Sequence, residues 1–279
     1  MAQHNQVRGV GFLLKDPTIL NEGIEGSEKI LFQMRTIRRH IDDYRGKKFE
    51  DLIVFYDGSD FMEKMKKLKK FDLVDIKGVV DILTVDKQSI CPYCGKQNVK
   101  HMGSSTFIYP IAFFKLNNVE TSYEHNEDLP EAILQKHYRE VSNEALIVGT
   151  VVSTPEMIGT DNIKCCRYRL GVDRKYYIKT QGDVTADYPW VYTYGKQAEW
   201  DSTHLKEGAL VLVNAFIHNR EIDANTVCMH CGADYTYPDV VTELIPYSVE
   251  YLNNYKTNEE IALEYEKEKR EKIHKELLG

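Results

Sequence analysis

Two similar cysteine turns carry the clearest chemistry of this 279-residue chain. Cys91 and Cys94 lie in Ile-Cys-Pro-Tyr-Cys-Gly, and Cys228 and Cys231 lie in Val-Cys-Met-His-Cys-Gly. A Cys-x-x-Cys turn lets both sulfurs point at one tetrahedral ion, and the glycine after it permits a tight backbone. Four thiolates in two such turns predict one structural zinc ion per chain, with no open position for catalysis.

Two alternatives for these turns stay open. Each turn could belong to a separate metal site, completed by His101 or His230. The turns could instead be redox-active, although neither opens a helix in a βαβ pattern. Cys165 and Cys166 lie in a predicted strand, and no role is assigned to them.

The chain that must position these turns is predicted to be rich in β-strands up to about residue 220. Short runs of Val, Ile, Phe and Tyr, bounded by Gly, Asp or Pro, recur at Val7–Leu14, Ile30–Arg38, Asp51–Tyr56, Leu73–Leu83, Ala145–Ser153, Ile163–Val172, Trp190–Tyr194 and Ala209–His218. The spacing of Phe61, Met62, Met65 and Leu68 predicts a helix over Asp60–Lys70. A charged helix is predicted from Thr257 to Leu278, with Thr257 and Glu260 as a capping box.

An internal repeat explains the distance between the two turns. Three blocks recur at one offset of 137 residues: Asp51–Gly58 with Tyr188–Gly195, Leu68–Val80 with Leu205–Ile217, and Ile90–Gly95 with Val227–Gly232. Upstream, Val7–Gly9 matches Ile147–Gly149 at an offset of 140. We therefore predict two copies of one module, over residues 1–100 and 141–235, each with one cysteine turn. Residues 101–140 would extend or link the modules, and residues 236–279 would form a C-terminal helical segment.

The second copy resembles a known family. Ile147–Pro155 is similar to the opening strand of the bacterial and phage single-stranded-DNA-binding proteins. Tyr188–Glu199 resembles their third strand and the following helix start, and Leu205–Arg220 resembles their closing strand. The element order of each copy suits a five-stranded OB barrel. The resemblance implies a mainly β fold of two tandem OB modules and sequence-tolerant binding of single-stranded DNA in replication, recombination or DNA transfer.

Such binding needs a basic groove and exposed aromatic rings on which bases stack. Period-two alternation puts four rings on one face of a strand in the second copy: Tyr188, Trp190, Tyr192 and Tyr194. Arg167 and Arg169 share one face of the neighbouring strand and could meet phosphates there. The resemblance places Tyr188 and Tyr194 where the family stacks bases.

The first copy supplies a second set of predicted contacts. Phe55 takes the place of Tyr192, Arg35 is expected to face outward, and Arg38 and Arg39 are expected in the adjoining hairpin. A barrel face of this kind could instead pack on another module or subunit. The chain would then be an oligomerisation or docking scaffold, and an RNA-binding module is a further alternative.

Composition and motifs limit the remaining function classes. With 18 Tyr, 10 Phe and 2 Trp, the chain is not of the disordered class. A polar N-terminus and the lack of a long apolar run predict a cytoplasmic protein, without a membrane partner, whose thiols stay reduced. No phosphate-binding glycine loop, His-Glu-x-x-His or Gly-x-Ser-x-Gly motif is present, so we predict no enzyme. A two-metal nuclease among the acidic turns is the alternative.

The negative charge is concentrated at the C-terminal end. The whole chain carries a net charge of -7, and residues 231–279 hold 11 acidic and 6 basic side chains. The resembled family normally ends in a flexible acidic tail, whereas this segment is predicted to be helical. It could dock on a replication or recombination protein, or compete with DNA for the basic groove. A homo-oligomer is possible.

Overall fold

The two halves of the chain fold into barrels with the same order of elements. The computed structural model describes residues 4–24, 26–39, 48–116, 128–160, 163–174 and 185–278. The first half contains β1 (His4–Leu13), β2 (Thr18–Leu20), β3 (Lys29–Ile37), β4 (Phe49–Tyr56), α1 (Met62–Met65), β5 (Leu73–Ile90) and β6 (Gln97–Lys115). It is followed by α2 (Asp128–Ile133) and a π-helical turn (Leu134–Tyr138). The second half contains β7 (Asn143–Val151), β8 (Glu156–Thr160), β9 (Ile163–Asp173), β10 (Ala186–Asp187), β11 (Trp190–Tyr194), α3 (Gly195–His204), β12 (Leu210–Val227), β13 (Asp234–Asn253) and α4 (Asn258–Leu278).

Each barrel is closed by pairings among five of its own strands. In the first, β1 pairs with β3 and β5, β4 pairs with β3 and in parallel with β6, and β5 pairs with β6. In the second, β7 pairs with β9 and β12, β11 pairs with β9 and in parallel with β13, and β12 pairs with β13. Two five-stranded barrels of this kind confirm the predicted fold class of tandem OB modules.

Alternating burial along the strands explains why the barrels close. In β7, every second residue from Asn143 to Val151 is buried and the residues between are half-buried. The buried side chains, such as Ala145 and Ile147, join one hydrophobic core with inward residues from the other strands. Because successive side chains of a strand point to opposite faces, this sequence can line a barrel with one face only.

The two barrels are joined edge to edge through β1 and β7. These strands pair antiparallel, with Val7 opposite Ala145. The side chain of Asn5 bonds both backbone groups of Val80 at 2.9 Å, and Asn143 does the same at Ile217. The matching bonds relate β1 to β7 by 138 residues, which corrects the expected upstream offset of 140. Because the two offsets differ by two residues, and side chains alternate between the faces of a strand, every side chain stays on its predicted face.

The repeat continues beyond the cysteine turns, into strands that the sequence interpretation left outside it. The register of β5 with β6 shifts at Gly78, opposite Pro110, and that of β12 with β13 shifts at Ala215, opposite Pro246. Proline lacks the amide donor of the ladder and is therefore placed at such bulges. The proposed module limits at residues 100 and 235 remain untested, but these pairings favour including all of β6 and β13.

The first predicted helix is shorter in the structure. α1 is one turn, Met62–Met65, rather than Asp60–Lys70. The amides of Lys69 and Lys70 instead donate to the carboxylates of Asp72 and Asp16 at 2.8 and 2.7 Å. These bonds divert the backbone donors that a longer helix would use. Met65 and Leu68 are nevertheless buried in the barrel core, as their spacing predicted.

The C-terminal helix is present as predicted. The Thr257 hydroxyl accepts from the Glu260 amide at 3.2 Å, and the Glu260 carboxylate accepts from the Thr257 amide at 2.7 Å. This reciprocal pair is a capping box at the start of α4. Most described side chains of α4 are exposed, including Leu263 and Tyr265. Neither α4 nor any other helix of the described ranges has the length and apolarity to cross a membrane.

Candidate nucleic-acid interface and cysteine cluster

The four cysteines of the two turns meet at the crossing tips of two long hairpins. One hairpin is β5–β6 and the other is β12–β13; we call them the two arms. Cys91 Sγ lies 3.8 Å from Cys231 Sγ, and Cys94 Sγ lies 3.6 Å from Cys228 Sγ. All four sulfurs lie within 4.8 Å of one another. A tetrahedral ion with thiolates at about 2.3 Å has sulfurs about 3.8 Å apart, so the cluster could hold a metal.

The two turns have the same backbone. In each, the amide of the glycine donates to the first cysteine's carbonyl at 2.9 Å, from Gly95 to Cys91 and from Gly232 to Cys228. Gly95 and Gly232 have φ angles of 68° and 73°, a conformation that favours glycine. The His230 amide contacts Cys228 Sγ at 3.4 Å, and this donor is the main cause that lowers the pKa of Cys228 to about 6.

Contacts between the arms hold the four sulfurs together. Asn98 in β6 donates to the carbonyl of Val227 at 3.2 Å and accepts from the amide of Met229 at 3.1 Å. The hydroxyls of Ser89 and Tyr235 lie 2.7 Å apart. The His230 ring lies 3.1 Å from the carbonyl of Gln97. The turns therefore form one shared cluster, and the arrangement favours a single site over two separate ones.

An open aromatic and basic face lies on β9 and β11 of the second barrel. Trp190, Tyr192 and Tyr194 are half-buried, whereas Val191 and Thr193 between them are buried in the barrel. Tyr188, just before β11, is 45% exposed. The predicted alternation is therefore present, and the four rings point away from the barrel core. We call this set of rings, with Arg167 and Arg169, the aromatic face.

Two guanidinium groups flank the indole at the centre of this face. Arg169 is opposite Trp190 in the β9–β11 ladder, and Arg167 is opposite Tyr192. The guanidinium carbons of Arg167 and Arg169 lie 5.3 and 5.2 Å from the Trp190 ring centre. Arg167 is also paired with Glu156 at 2.9 Å, whereas among the described residues no carboxylate lies within 4.0 Å of Arg169. Cations within about 6 Å of an aromatic ring are attracted to its face, so the side chains are already ordered.

The first-barrel residues predicted as contacts lie in different surroundings. Phe55 is only 8% exposed and packs against Phe107 of β6, with ring centres 5.7 Å apart. Arg38 is 4% exposed, and its Nε donates to Glu50 at 2.7 Å. Both side chains are predicted as nucleic-acid contacts, but neither can meet a strand in this structure without rearrangement.

The other two predicted arginines of the first barrel are neutralised. Arg35 pairs with Asp51 at 2.9 Å and with Glu131 at 3.5 Å. Arg39 pairs with Glu140 and Glu144, each at 3.2 Å, and its guanidinium lies over a tyrosine ring of β13. A phosphate would have to displace these carboxylates, so neither arginine is a ready phosphate site.

Equivalent positions of the two barrels differ in chemistry. In the first barrel, Leu31 lies opposite Phe55, which matches Arg167 opposite Tyr192 in the second barrel. Likewise, Gln33 opposite Ile53 matches Arg169 opposite Trp190. Both arginines of the second barrel are therefore replaced by uncharged side chains in the first. The Trp190 position is likewise aliphatic there. Among the described residues of these matched strand pairs, those of the second barrel combine aromatic rings with arginines, the side chains that stack bases and neutralise phosphates.

Arg38 lies in one of two buried ionic clusters at the junction of the barrels. One cluster holds Arg38, Glu50 and His218, and the other holds Arg174, Asp187 and Asp81. In each, an arginine and a carboxylate of one barrel meet a titratable residue of the other. The sequence interpretation missed these clusters. The signal was present, because Arg38 and Arg174 hold matching positions at the ends of β3 and β9.

The second cluster predicts a pH dependence of stability. Burial, and the nearby Asp187 and Asp57 carboxylates, raise the pKa of Asp81 to about 6 against the opposing charge of Arg174. The folded chain therefore holds this proton between about pH 4 and 6, where the unfolded chain has lost it. Stability from this group is highest at low pH and is lost as the pH rises to about 6.

Asp81→Asn should remove this titration. From pH 7.5 to pH 5, wild type should gain about 1.4 kcal/mol of unfolding free energy relative to the variant. Urea unfolding of both proteins at the two pH values measures the difference. An identical change in both proteins would show that Asp81 does not titrate in this range.

Parts of this chain are similar in sequence to known proteins. Residues 142–228 match the model of the single-strand binding protein family. The chain is 31% identical over 84 residues to single-stranded DNA-binding protein 2 of Clostridium acetobutylicum, which covers 29% of this chain and 62% of that protein. It is 27% identical over 112 residues to protein 3 of the same organism, covering 39% of this chain and 70% of that protein.

A solved structure extends the likeness to both barrels. The crystal structure of the wild-type single-stranded DNA binding protein from Thermus aquaticus has a TM-score of 0.60 and 14% sequence identity. The superposition covers 92% of this chain and 97% of that chain. At this identity the likeness shows a common fold, which supports the recognition of a tandem OB repeat.

Proposed function

We propose that this chain, whose residues 142–228 match the model of the single-strand binding protein family, is a sequence-tolerant single-stranded-DNA-binding protein. Its mechanism is non-covalent, and no catalytic step is assigned to it. Bases stack on Trp190 and the neighbouring tyrosines, while Arg167 and Arg169 neutralise phosphates. Stacking contributes roughly 1–3 kcal/mol per base and accepts any base, because every base has a π-face.

One observation carries this proposal. The Arg167 and Arg169 guanidinium groups both lie over the Trp190 ring on a half-exposed sheet face. Packing of this face on another protein, as in the scaffold alternative, would not require two cations around one indole. Cations and aromatic rings interleaved on a surface are the combination that single strands need. The proposed contacts are Arg167, Arg169, Tyr188, Trp190, Tyr192 and Tyr194.

The proposal predicts salt-sensitive binding to single strands. We expect labelled dT oligomers to bind with an affinity that rises with length up to the site size and falls as salt increases, because counterions are released. Fluorescence anisotropy at low and moderate salt measures both effects, with duplex DNA as the control. No binding at low salt would favour the scaffold alternative, and tighter binding to duplex would contradict the preference for single strands. Equal affinity for oligo-rU would favour an RNA-binding module.

The pathway and the partners belong to the same proposal. Replication, recombination and DNA transfer all expose single strands, and a cytoplasmic protein of this type could act in any of them. Self-association into a homo-oligomer would bring further barrels together. The exposed, acidic α4 is the proposed contact for a replication or recombination protein.

The cysteine cluster is proposed to hold one structural zinc ion. Four thiolates with tetrahedral spacing suit zinc, and such a closed site leaves no position for substrate. Because each arm contributes two ligands, the ion would join the two modules. The ion supplies a cross-link, and no step of DNA binding is assigned to it.

A further inference from the structure

A cleft of about 370 Å³ lies between the aromatic face and the two arms. Arg169, Tyr188 and Trp190 form its wall on the second barrel. The opposite walls include Lys87 and Ser104 from the first module's arm, together with Asp239–Thr242 from the other arm. Pockets for small ligands occupy about 300–1,000 Å³, so the cleft has room for roughly one nucleotide.

The single lysine of this lining is held by a carboxylate. Lys87 Nζ lies 2.6 and 2.7 Å from the two carboxylate oxygens of Asp239. The two side chains are 15% and 16% exposed. The pair crosses from one arm to the other, so each module contributes one charge.

This ion pair is not required by the architecture of the repeat. By strand pairing, the equivalent of Lys87 is Ala224 and the equivalent of Asp239 is Gly103. The pseudo-symmetric residues line the same cleft and carry neither charge. The ion pair is therefore specific to one of the two equivalent positions.

We propose that a bound single strand continues from Trp190 and Tyr188 into this cleft, where a backbone phosphate replaces Asp239 as the partner of Lys87. The inference rests on the proposed function and adds a contact from the first module to it. The first module then contributes through its arm, whereas its barrel face lacks the required side chains. The Ser104 hydroxyl, in the same lining, can donate to the sugar-phosphate backbone. Asp239 acts as an internal competitor that a strand must displace.

Asp239→Asn should therefore tighten binding. With Lys87 released, we expect about three- to tenfold higher affinity for oligo-dT at low salt. The wild-type complex already contains the Lys87–phosphate contact, so the slope of log affinity against log salt should stay close to that of wild type in Asp239→Asn and should become shallower by about 0.7, the value for one phosphate of a single strand, in Lys87→Gln. Lys87→Gln should weaken binding, and the double variant should lose the gain of Asp239→Asn. Fluorescence anisotropy across a salt series measures all three.

Asp223→Asn is the matched control, because Asp223 is exposed on β12 but does not line the cleft. It removes the same charge from the same arm but releases no lysine of the cleft, so it should leave the affinity close to that of wild type. Zinc content and urea unfolding verify that the arms remain intact. Equal effects of Asp239→Asn and Asp223→Asn, or a loss of affinity in an intact Asp239→Asn protein, would overturn the cleft proposal alone. A wild-type protein that does not bind single strands would instead overturn the proposed function.

Discussion

Trp190→Ala is expected to weaken binding of oligo-dT by about 5- to 150-fold, the range that corresponds to losing one stacked base. Trp190 lies at the centre of the aromatic face, and both flanking guanidinium groups pack on its ring. Its removal therefore deletes the stacking surface and also loosens the two cations that would hold phosphates. Anisotropy titrations at one fixed salt concentration measure the loss.

Ile53→Ala is the position-matched control in the first barrel. Ile53 occupies the place of Trp190 in the β3–β4 ladder but lies on a face without matching arginines. We expect an affinity within about twofold of wild type, since no stacked base is lost there. Thermal unfolding of both variants separates binding from folding. Equal losses in the two variants, or full affinity after Trp190→Ala, would refute the assignment of the face.

Replacing Cys91 and Cys228 together by serine is expected to abolish binding of the proposed zinc ion and to destabilise the fold. The two substitutions together remove one thiolate from each turn, which leaves two ligands for an ion that needs four. A metal ion at a free concentration about 1,000 times its dissociation constant adds about 4 kcal/mol to the free energy of unfolding. The double variant should therefore lose at least that order of stability. Elemental analysis and urea unfolding provide the two measurements.

Cys165→Ala is the control for this experiment. Cys165 is buried in β9 and lies outside the four-cysteine cluster. The control protein should retain one zinc ion per chain. Two ions per wild-type chain, or an ion retained by the double variant, would be inconsistent with a single site shared by the modules.

The repeat allowed the sequence to predict the cluster across 133 intervening residues. If each copy places its turn at the same point of the same module, two-fold docking brings the turns together. The aromatic face was predictable for a local reason, because period-two alternation depends only on neighbours in one strand. The cysteine turn is a short pattern that occurs in both copies, and the aromatic alternation is a short pattern within one strand of the second copy.

The environment of the first-barrel residues was not predictable in this way. Phe55 is covered by Phe107, which belongs to a strand 52 residues later that the sequence interpretation treated as a linker or extension. The sequence predicts Arg38 as a hairpin cation, but its partner His218 comes from the other barrel, 180 residues away. Such long-range packing depends on how the two barrels dock, and no single segment encodes that.

The β1–β7 ladder has a consequence for how the molecule behaves on dilution. Two separate chains joined by such a ladder would dissociate at concentrations below their dissociation constant. Here both edge strands belong to one chain, so their association is intramolecular and has an effective concentration set by the connecting segment. The paired state is therefore independent of protein concentration, and the two copies are always present in equal amounts. Neither copy has to pair with itself, so the sequences of the two edges are free to diverge.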